Sequence, residues 1–302
     1  MKMKIIYHKP VMLKEAIKGL KIDPDGVYVD VTFGGGGHSR AILQNLSSRG
    51  KLFAFDQDRA AQENFVSDDR FHLIYGNFSQ IKRHLKFYGI TNVDGILADF
   101  GVSSYQFEEG SRGFSTRLKG PLDMRMNTET RLTAREVINE YSVEELYQIF
   151  KNYGELRNAK KLADHIVKER SKTPIETTHG LVNLLTPKLP KHIFNKLIAQ
   201  VFQAVRIEVN EELDVIKSFL EQSIELLSIG GRLACISYHS LEDRLVKVFI
   251  REGNFAGKAE SDLYGNRNLP FKKVGNLQIP SEKETMDNSR ARSGKLRIAE
   301  RI

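Results

Sequence analysis

The sequence predicts an α/β protein: a doubly wound, mostly parallel sheet with an inserted all-helical domain. Three observations carry that prediction. Val27 to Leu43 reads as a strand, four consecutive glycines and a helix, the opening unit of a doubly wound sheet. Strand and helix signals then alternate as far as Asp99. After Gln106 the alternation stops, helical signals follow one another to Asn210, and strand signals resume only beyond it. The expected division is residues 1–106 with 211–302 as the sheet domain and 107–210 as the helical insertion.

The elements follow in order. Pro10 to Leu20 places Val11, Leu13, Ala16, Ile17 and Leu20 on one side, a short amphipathic helix. Asp23-Pro24-Asp25-Gly26 is a turn. Val27 to Thr32 is β-branched or aromatic apart from Asp30, which suits a buried strand. The glycines Gly34 to Gly37 let a turn adopt φ > 0 and let a ligand approach the backbone. Ala41, Ile42 and Leu46 supply the helical spacing after them. Lys51 to Asp56 is the second strand, and Asp56 stands 22 residues after Gly34, where an acid accepts from ribose hydroxyls. Asp58 is placed to cap a following helix. Phe71 to Tyr75 is the third strand. Phe78, just beyond it, either flanks a bound adenine or packs in the core. Ser79 to Tyr88 is a helix, and Val93 to Asp99 the fourth strand.

Three strands thus end in or near a carboxylate: Asp30, Asp56 and Asp99. In a doubly wound sheet such ends converge on one crevice. Unpaired carboxylates repel the pyrophosphate of a dinucleotide and attract the sulfonium and ammonium of S-adenosylmethionine. Counting from Gly34, Ser39 also stands where the dinucleotide pattern has its third glycine. Both points favour a methyl donor over a nicotinamide.

In the insertion, Gly110 to Met126 is a polar, glycine-bearing loop. Thr133 with Glu136 and Ser142 with Glu145 form capping boxes. The helix after Ser142 closes at Tyr153-Gly154. Leu156 to Lys172 and Ile193 to Val205 are further helices, the first ringed by Arg157, Lys160, Lys161, Lys168 and Arg170. Glu211 to Leu227 is a helix. Gly230-Gly231 turns into a strand, Arg232 to Ser237, which leaves His239 at a strand end and Ser240 as the cap of a helix to Glu252. Gly253 to Ser289 reads as a long irregular loop, and Lys295 to Ile302 as a last strand.

The formal charge of +8 suits a polyanionic partner such as nucleic acid. The single cysteine, Cys235, excludes an intramolecular disulfide framework and any all-cysteine metal cluster. No apolar run reaches membrane-spanning length and no signal peptide is evident, so the expected compartment is the cytoplasm.

Several motifs resemble the bacterial small-subunit ribosomal RNA methyltransferase H family. They are His8-x-Pro10-Val11, Phe33-Gly-Gly-Gly-Gly-His38-Ser39, Gly101-Val-Ser-Ser104, Arg112-Gly-Phe-Ser115 and Gly120-Pro-Leu-Asp-Met-Arg-Met126. Phe202-Gln-Ala-Val-Arg206-Ile-x-Val-Asn210-x-Glu212-Leu213, His239-Ser-Leu-Glu-Asp-Arg244 and Arg290-Ala-Arg292-Ser293 complete the set. The resemblance implies methyl transfer from S-adenosylmethionine to the exocyclic N4 of a cytidine in the decoding region of 16S ribosomal RNA. It implies that Gly36, Gly37 and His38 hold the methionine part of the cofactor, that Asp56 takes the ribose and Phe78 lies near the adenine, and that Asp99 and Gln106 complete the pocket. Gly35 departs from a frequent arginine, and Tyr105 from a frequent proline beside Gln106.

Such chemistry needs no metal, because the sulfonium already activates the methyl. It needs an acceptor for the amine's proton. Asp99, the Gly101 to Ser104 backbone and His239 qualify by location, and the sequence does not choose among them. Asp123, Arg125 and His239 are the substrate-contact candidates, with an internal ion pair as the other reading of Asp123 and Arg125. A nicotinamide-dependent oxidoreductase and a non-catalytic ribosome-associated RNA-binding protein are the competing readings. The expected partner is 16S ribosomal RNA or the small ribosomal subunit.

Overall fold

A computed structural model describes residues 9–257, 267 and 269–302. The motif residue His8 lies outside them, as does part of the segment expected to be a long loop. The chain divides into two compact units, Met1–Gly101 with Leu213–Ile302, and Val102–Glu212.

In the first unit, α1 (Leu13–Leu20) leads to β1 (Val27–Asp30), α2 (Gly37–Leu43), β2 (Lys51–Asp56), β3 (Phe71–Tyr75), α3 (Ile81–Phe87) and β4 (Val93–Asp99). The second unit holds α4 (Ser104–Glu108), α5 (Ala134–Glu140), α6 (Val143–Asn152), α7 (Ala159–Arg170), α8 (Thr178–Leu185) and α9 (Phe194–Asn210). α10 (Glu212–Leu226) returns the chain to the first unit, followed by β5 (Leu227–Ser237), α11 (Ser240–Glu252), β6 (Phe271–Gln278), α12 (Glu282–Asp287) and β7 (Lys295–Arg301).

The sheet order is β3-β2-β1-β4-β5-β7-β6. β1 to β5 run parallel, while β7 pairs antiparallel with β5 and with β6. Side chains alternate across the sheet, as the two-residue strand period demands. Val29, Phe53, Ile96 and Leu233 face one core with Leu85 of α3, Phe219 of α10 and Phe249 of α11. Tyr28, Leu52, Leu97 and Ala234 face the other with Ala16 and Leu20 of α1 and Ile42 of α2. Fully burying a side chain such as Phe219 stabilises by about 1.5–3 kcal/mol, so the two apolar faces hold the sheet between its helices. The order reverses between β1 and β4, and the crevice beyond their carboxyl ends is where such sheets take ligands.

The second unit has its own core, built from Leu122, Leu146, Phe150, Leu162, Ile166, Leu181 and Phe202 among others. Ser103, Thr133 and Ser142 each form a capping box. The Gly110 to Met126 loop is pinned rather than loose. Asn210 donates to the Met124 carbonyl (2.8 Å) and accepts from the Met126 amide (2.7 Å), and Leu122 and Met124 are buried. No helix among the described residues is long and apolar enough to cross a membrane.

Several expectations need correction. Gln106 falls in the helical unit, not the sheet unit, because Ser103 caps a short helix directly after β4. The helix expected after Asp58 is a 3-10 turn, Arg59–Asn64, although Asp58 does cap it. His239, not Ser240, is the N-cap of α11, because the Glu242 carboxylate reaches back to the residues before the helix. α8 gave no separate helical signal. Of the supposed long loop, residues 271–287 contain β6 and α12. β6 is an edge strand with Lys272 and Lys273 exposed and Phe271 buried, so it lacks the apolar alternation that marks a covered strand.

Candidate functional site

The glycine turn sits at the carboxyl end of β1. Gly36 has φ +74°, and a Cβ there would lie 2.9 Å from the Phe33 ring, so no other residue fits without rearrangement. A Cβ at Gly37 would lie 2.5 Å from Pro10, which brings the N-terminal segment against α2. Arg40 donates to the Gly35 carbonyl (2.7 Å) and Asn64 to the Gly34 carbonyl (3.0 Å). The turn is thus held from outside, and the position of Gly35 opens into free space.

Around that turn the three acids divide by role. Asp30 is wholly buried and accepts from Ser39 Oγ (2.7 Å) and the Thr32 amide (3.1 Å). Burial raises its pKa, and both oxygens are already used, one to fasten β1 to α2 through Ser39 and one to hold the segment after β1. Asp56 accepts from the Gly34 amide (2.8 Å) and the Asp58 amide (2.8 Å), so it braces the turn while standing at the end of β2. Asp99 accepts from the Tyr238 hydroxyl (2.7 Å), and its other oxygen lies 3.8 Å from His38 Nδ1. Burial raises the Asp56 and Asp99 carboxyls to about 6. The Asp30 charge adds to the rise at both, which places the three acids in one electrostatic neighbourhood.

His38 is 5% exposed, and Nε2 lies 3.1 Å from the Val11 carbonyl. A carbonyl only accepts, so Nε2 carries the proton. Burial lowers the His38 pKa and keeps the ring neutral, leaving Nδ1 as an acceptor facing Asp99. Two acceptors side by side form a seat for a donor, and a cationic donor suits it best.

Phe78 opens a short 3-10 turn beyond β3, and its ring packs against Phe100 and edge-on against Phe219 while staying partly exposed. Gln106 is 4% exposed, and its side-chain oxygen accepts from the Ser103 amide (3.0 Å) within the helical unit. His239 is turned onto its own helix: Nε2 lies 3.1 Å from Glu242, and its side chain is 10% exposed. Asp123 and Arg125 hold each other through two contacts (2.9 and 2.7 Å), and Arg125 also donates to the Thr128 and Thr130 carbonyls. The internal ion pair is therefore what the structure contains at this place.

Tyr238 is the group that sequence reasoning missed. It directly follows β5 and meets Asp99 across 139 positions of sequence. Its only local signal is its position at a strand end beside His239.

On the helical unit, the Lys151 and Lys160 ammonium groups lie 5.4 and 5.7 Å from the Tyr147 ring centre. Tyr147, Arg157, Asn158, Lys160 and Lys161 line a concavity of about 390 Å³.

The profile of the MraW methylase family matches residues 5–302. The chain is 58% identical over 296 residues to the ribosomal RNA small subunit methyltransferase H of Christiangramia forsetii, covering 98% of each protein. It is 56% identical to that of Flavobacterium johnsoniae, again over 98% of each. A putative rRNA methylase from Clostridium thermocellum, of known structure, aligns over 98% of this chain and all of its own at 12% identity and a TM-score of 0.44. The chain belongs to the MraW methylase family, and that membership decides against the oxidoreductase and the non-catalytic readings.

Proposed function

We propose that this member of the MraW methylase family, an S-adenosylmethionine-dependent methyltransferase of small-subunit ribosomal RNA, methylates the exocyclic N4 of a cytidine in the decoding region of 16S ribosomal RNA. The observation that carries the site assignment is the pair Asp56 and Asp99. Both stand at parallel strand ends beside the glycine turn, and neither has a lysine or arginine partner among the described residues. A cationic nucleoside neutralises such a site, whereas a pyrophosphate is repelled by it.

In this reading Gly36, Gly37 and His38 hold the methionine end, Asp56 the ribose hydroxyls, Phe78 the adenine edge, and Asp99 the ammonium end. Gln106 closes the Ser103 turn within its own unit. When bound, S-adenosylmethionine supplies a methyl already activated by its sulfonium. The protein's part is to align amine nitrogen, methyl carbon and sulfur. The cytosine amine has a lone pair delocalised into its ring. An acceptor at Asp99 or on the Gly101 to Ser104 backbone turns that lone pair toward the methyl and takes the proton. His239 serves this site by capping α11 and not by touching substrate. Asp123 and Arg125 act on RNA only by holding the shape of their loop.

The basic concavity around Tyr147 is the part of the helical unit best suited to ribosomal RNA. Its cations match phosphates and its aromatic ring offers a stacking face. We place the enzyme in the cytoplasm, with its substrate.

The decisive experiment is radiolabelled methyl transfer to small subunits from a strain lacking this protein, followed by nucleoside identification. Label in N4-methylated cytidine is expected. Label in another nucleoside, or no transfer, would overturn the proposal.

A further inference from the structure

We propose that Tyr238 is a positioning residue, whose hydroxyl engages one oxygen of Asp99 so that the other is presented, beside His38 Nδ1, to the cationic end of the cofactor. The inference rests on the reading of Asp99 as a cofactor contact.

The geometry forms a chain of fixed contacts. Glu242 is fully buried on the first turn of α11, and its carboxylate accepts from the amides of Tyr238 (2.8 Å) and His239 (3.3 Å). That clamp sets the turn leaving β5 and aims the tyrosine ring. A Cβ at Gly101, which has φ +95°, would lie 3.7 Å from the tyrosine ring. Its hydroxyl donates to Asp99 Oδ1 (2.7 Å). The backbone of Asp99 is tied separately, its amide donating to Thr32 Oγ1 (2.7 Å). The tyrosine is therefore what holds the carboxylate about its own terminal bond, a torsion that is otherwise broad and roughly two-fold. Phenylalanine would fill the same space and leave Oδ1 without that donor.

The same contact favours the charged carboxylate, since a hydrogen bond donated to an anion stabilises it. The ionisable groups around Asp99 are His38 from α2, Asp30 from β1, Glu242 from α11 and Tyr238 itself, with Glu284 of α12 acting on His38 and Tyr238. Asp30 and Glu242 raise the cost of the Asp99 charge. Tyr238, as a hydrogen-bond donor to the carboxylate, acts to keep it ionised.

The test is a cycle of Tyr238→Phe, Asp99→Ala and the double variant, with S-adenosylmethionine affinity measured by calorimetry between pH 5 and 8. Thermal stability of each variant is followed in parallel. Tyr238→Phe is expected to weaken binding about tenfold at pH 7, the scale of a hydrogen bond to a charged group. The pH at which affinity is half lost should move upward, which a merely structural role would not produce. In the Asp99→Ala background Tyr238→Phe should change affinity by less than about twofold, because the two act as one unit. If Asp99→Ala alone leaves affinity unchanged, the reading of the crevice is wrong. If Asp99→Ala weakens binding but Tyr238→Phe does not, or its effect persists without Asp99 or comes with an unmoved pH profile, the inference about Tyr238 falls alone.

Discussion

The acids at the strand ends and a set of acids in the helical unit are partnered in opposite ways. At the strand ends of the sheet unit, Asp30, Asp56 and Asp99 are satisfied by amides and hydroxyls, with no lysine or arginine paired to them among the described residues. In the helical unit several acids are matched to arginines. Glu212, 6% exposed, holds Arg206 through contacts of 2.7 and 2.9 Å, Asp123 holds Arg125, and Glu176 holds Arg135. Compensated charge makes a scaffold. Charge left uncompensated costs stability in the free protein, and it is retained where a cationic ligand completes it.

The largest test removes compensation from the scaffold. Arg206→Ala leaves Glu212 as an unpaired buried acid and should cost about 3–5 kcal/mol, read by denaturant unfolding, while Arg206→Met with Glu212→Leu should recover most of that loss. An equal loss in both would show that the pair acts through packing rather than charge. Next, Asp56→Ala should weaken S-adenosylmethionine binding about thirtyfold, the scale of about 2 kcal/mol from hydrogen bonds to a charged group. Unchanged affinity would remove Asp56 from the cofactor site.

A smaller effect follows from pH. The Asp56 and Asp99 carboxyls are raised to about 6, above the ordinary carboxylate value. For a raised group, the stabilising contribution in the free protein is complete below the ordinary value near 4 and is lost as pH rises through about 6. Cofactor binding runs the other way, because a cation selects the charged carboxylates. Affinity should therefore be at least about tenfold weaker at pH 5 than at pH 7, by calorimetry, whereas a flat profile would mean the acids do not meet the cation. Smallest is the basic concavity. Lys161→Glu should weaken binding of ribosomal RNA several-fold and reduce the salt dependence by the equivalent of about one phosphate contact, leaving cofactor affinity alone.

Much of the sheet was legible because its signals are local. β1 to β4 and the Arg232 to Ser237 part of β5 announce themselves by apolar runs, and the positions of Asp56 and Asp99 at strand ends follow from counting, whereas Gly230-Gly231, expected as a turn, lies inside β5. The capping boxes at Thr133 and Ser142 were legible for the same reason, since their partners lie three residues away. β6 was not, because an edge strand needs to bury little and its lysines face outward. The cap of α11 was misassigned by one residue because serine is the commoner N-cap, while here Glu242 reaches back to the residues before it.

Sequence alone determined that a glycine turn follows the first strand and that acids stand at the strand ends, because these depend on neighbours in the chain. Only the tertiary structure decided what each acid does. Asp30 is enclosed by Ser39 and Thr32, Asp56 braces Gly34, and Asp99 meets Tyr238 from a strand that pairs with its own after a detour of more than a hundred residues. The side-by-side pairing of β4 with β5 sets that last contact, and strand order is a property of the assembled sheet rather than of any stretch within it.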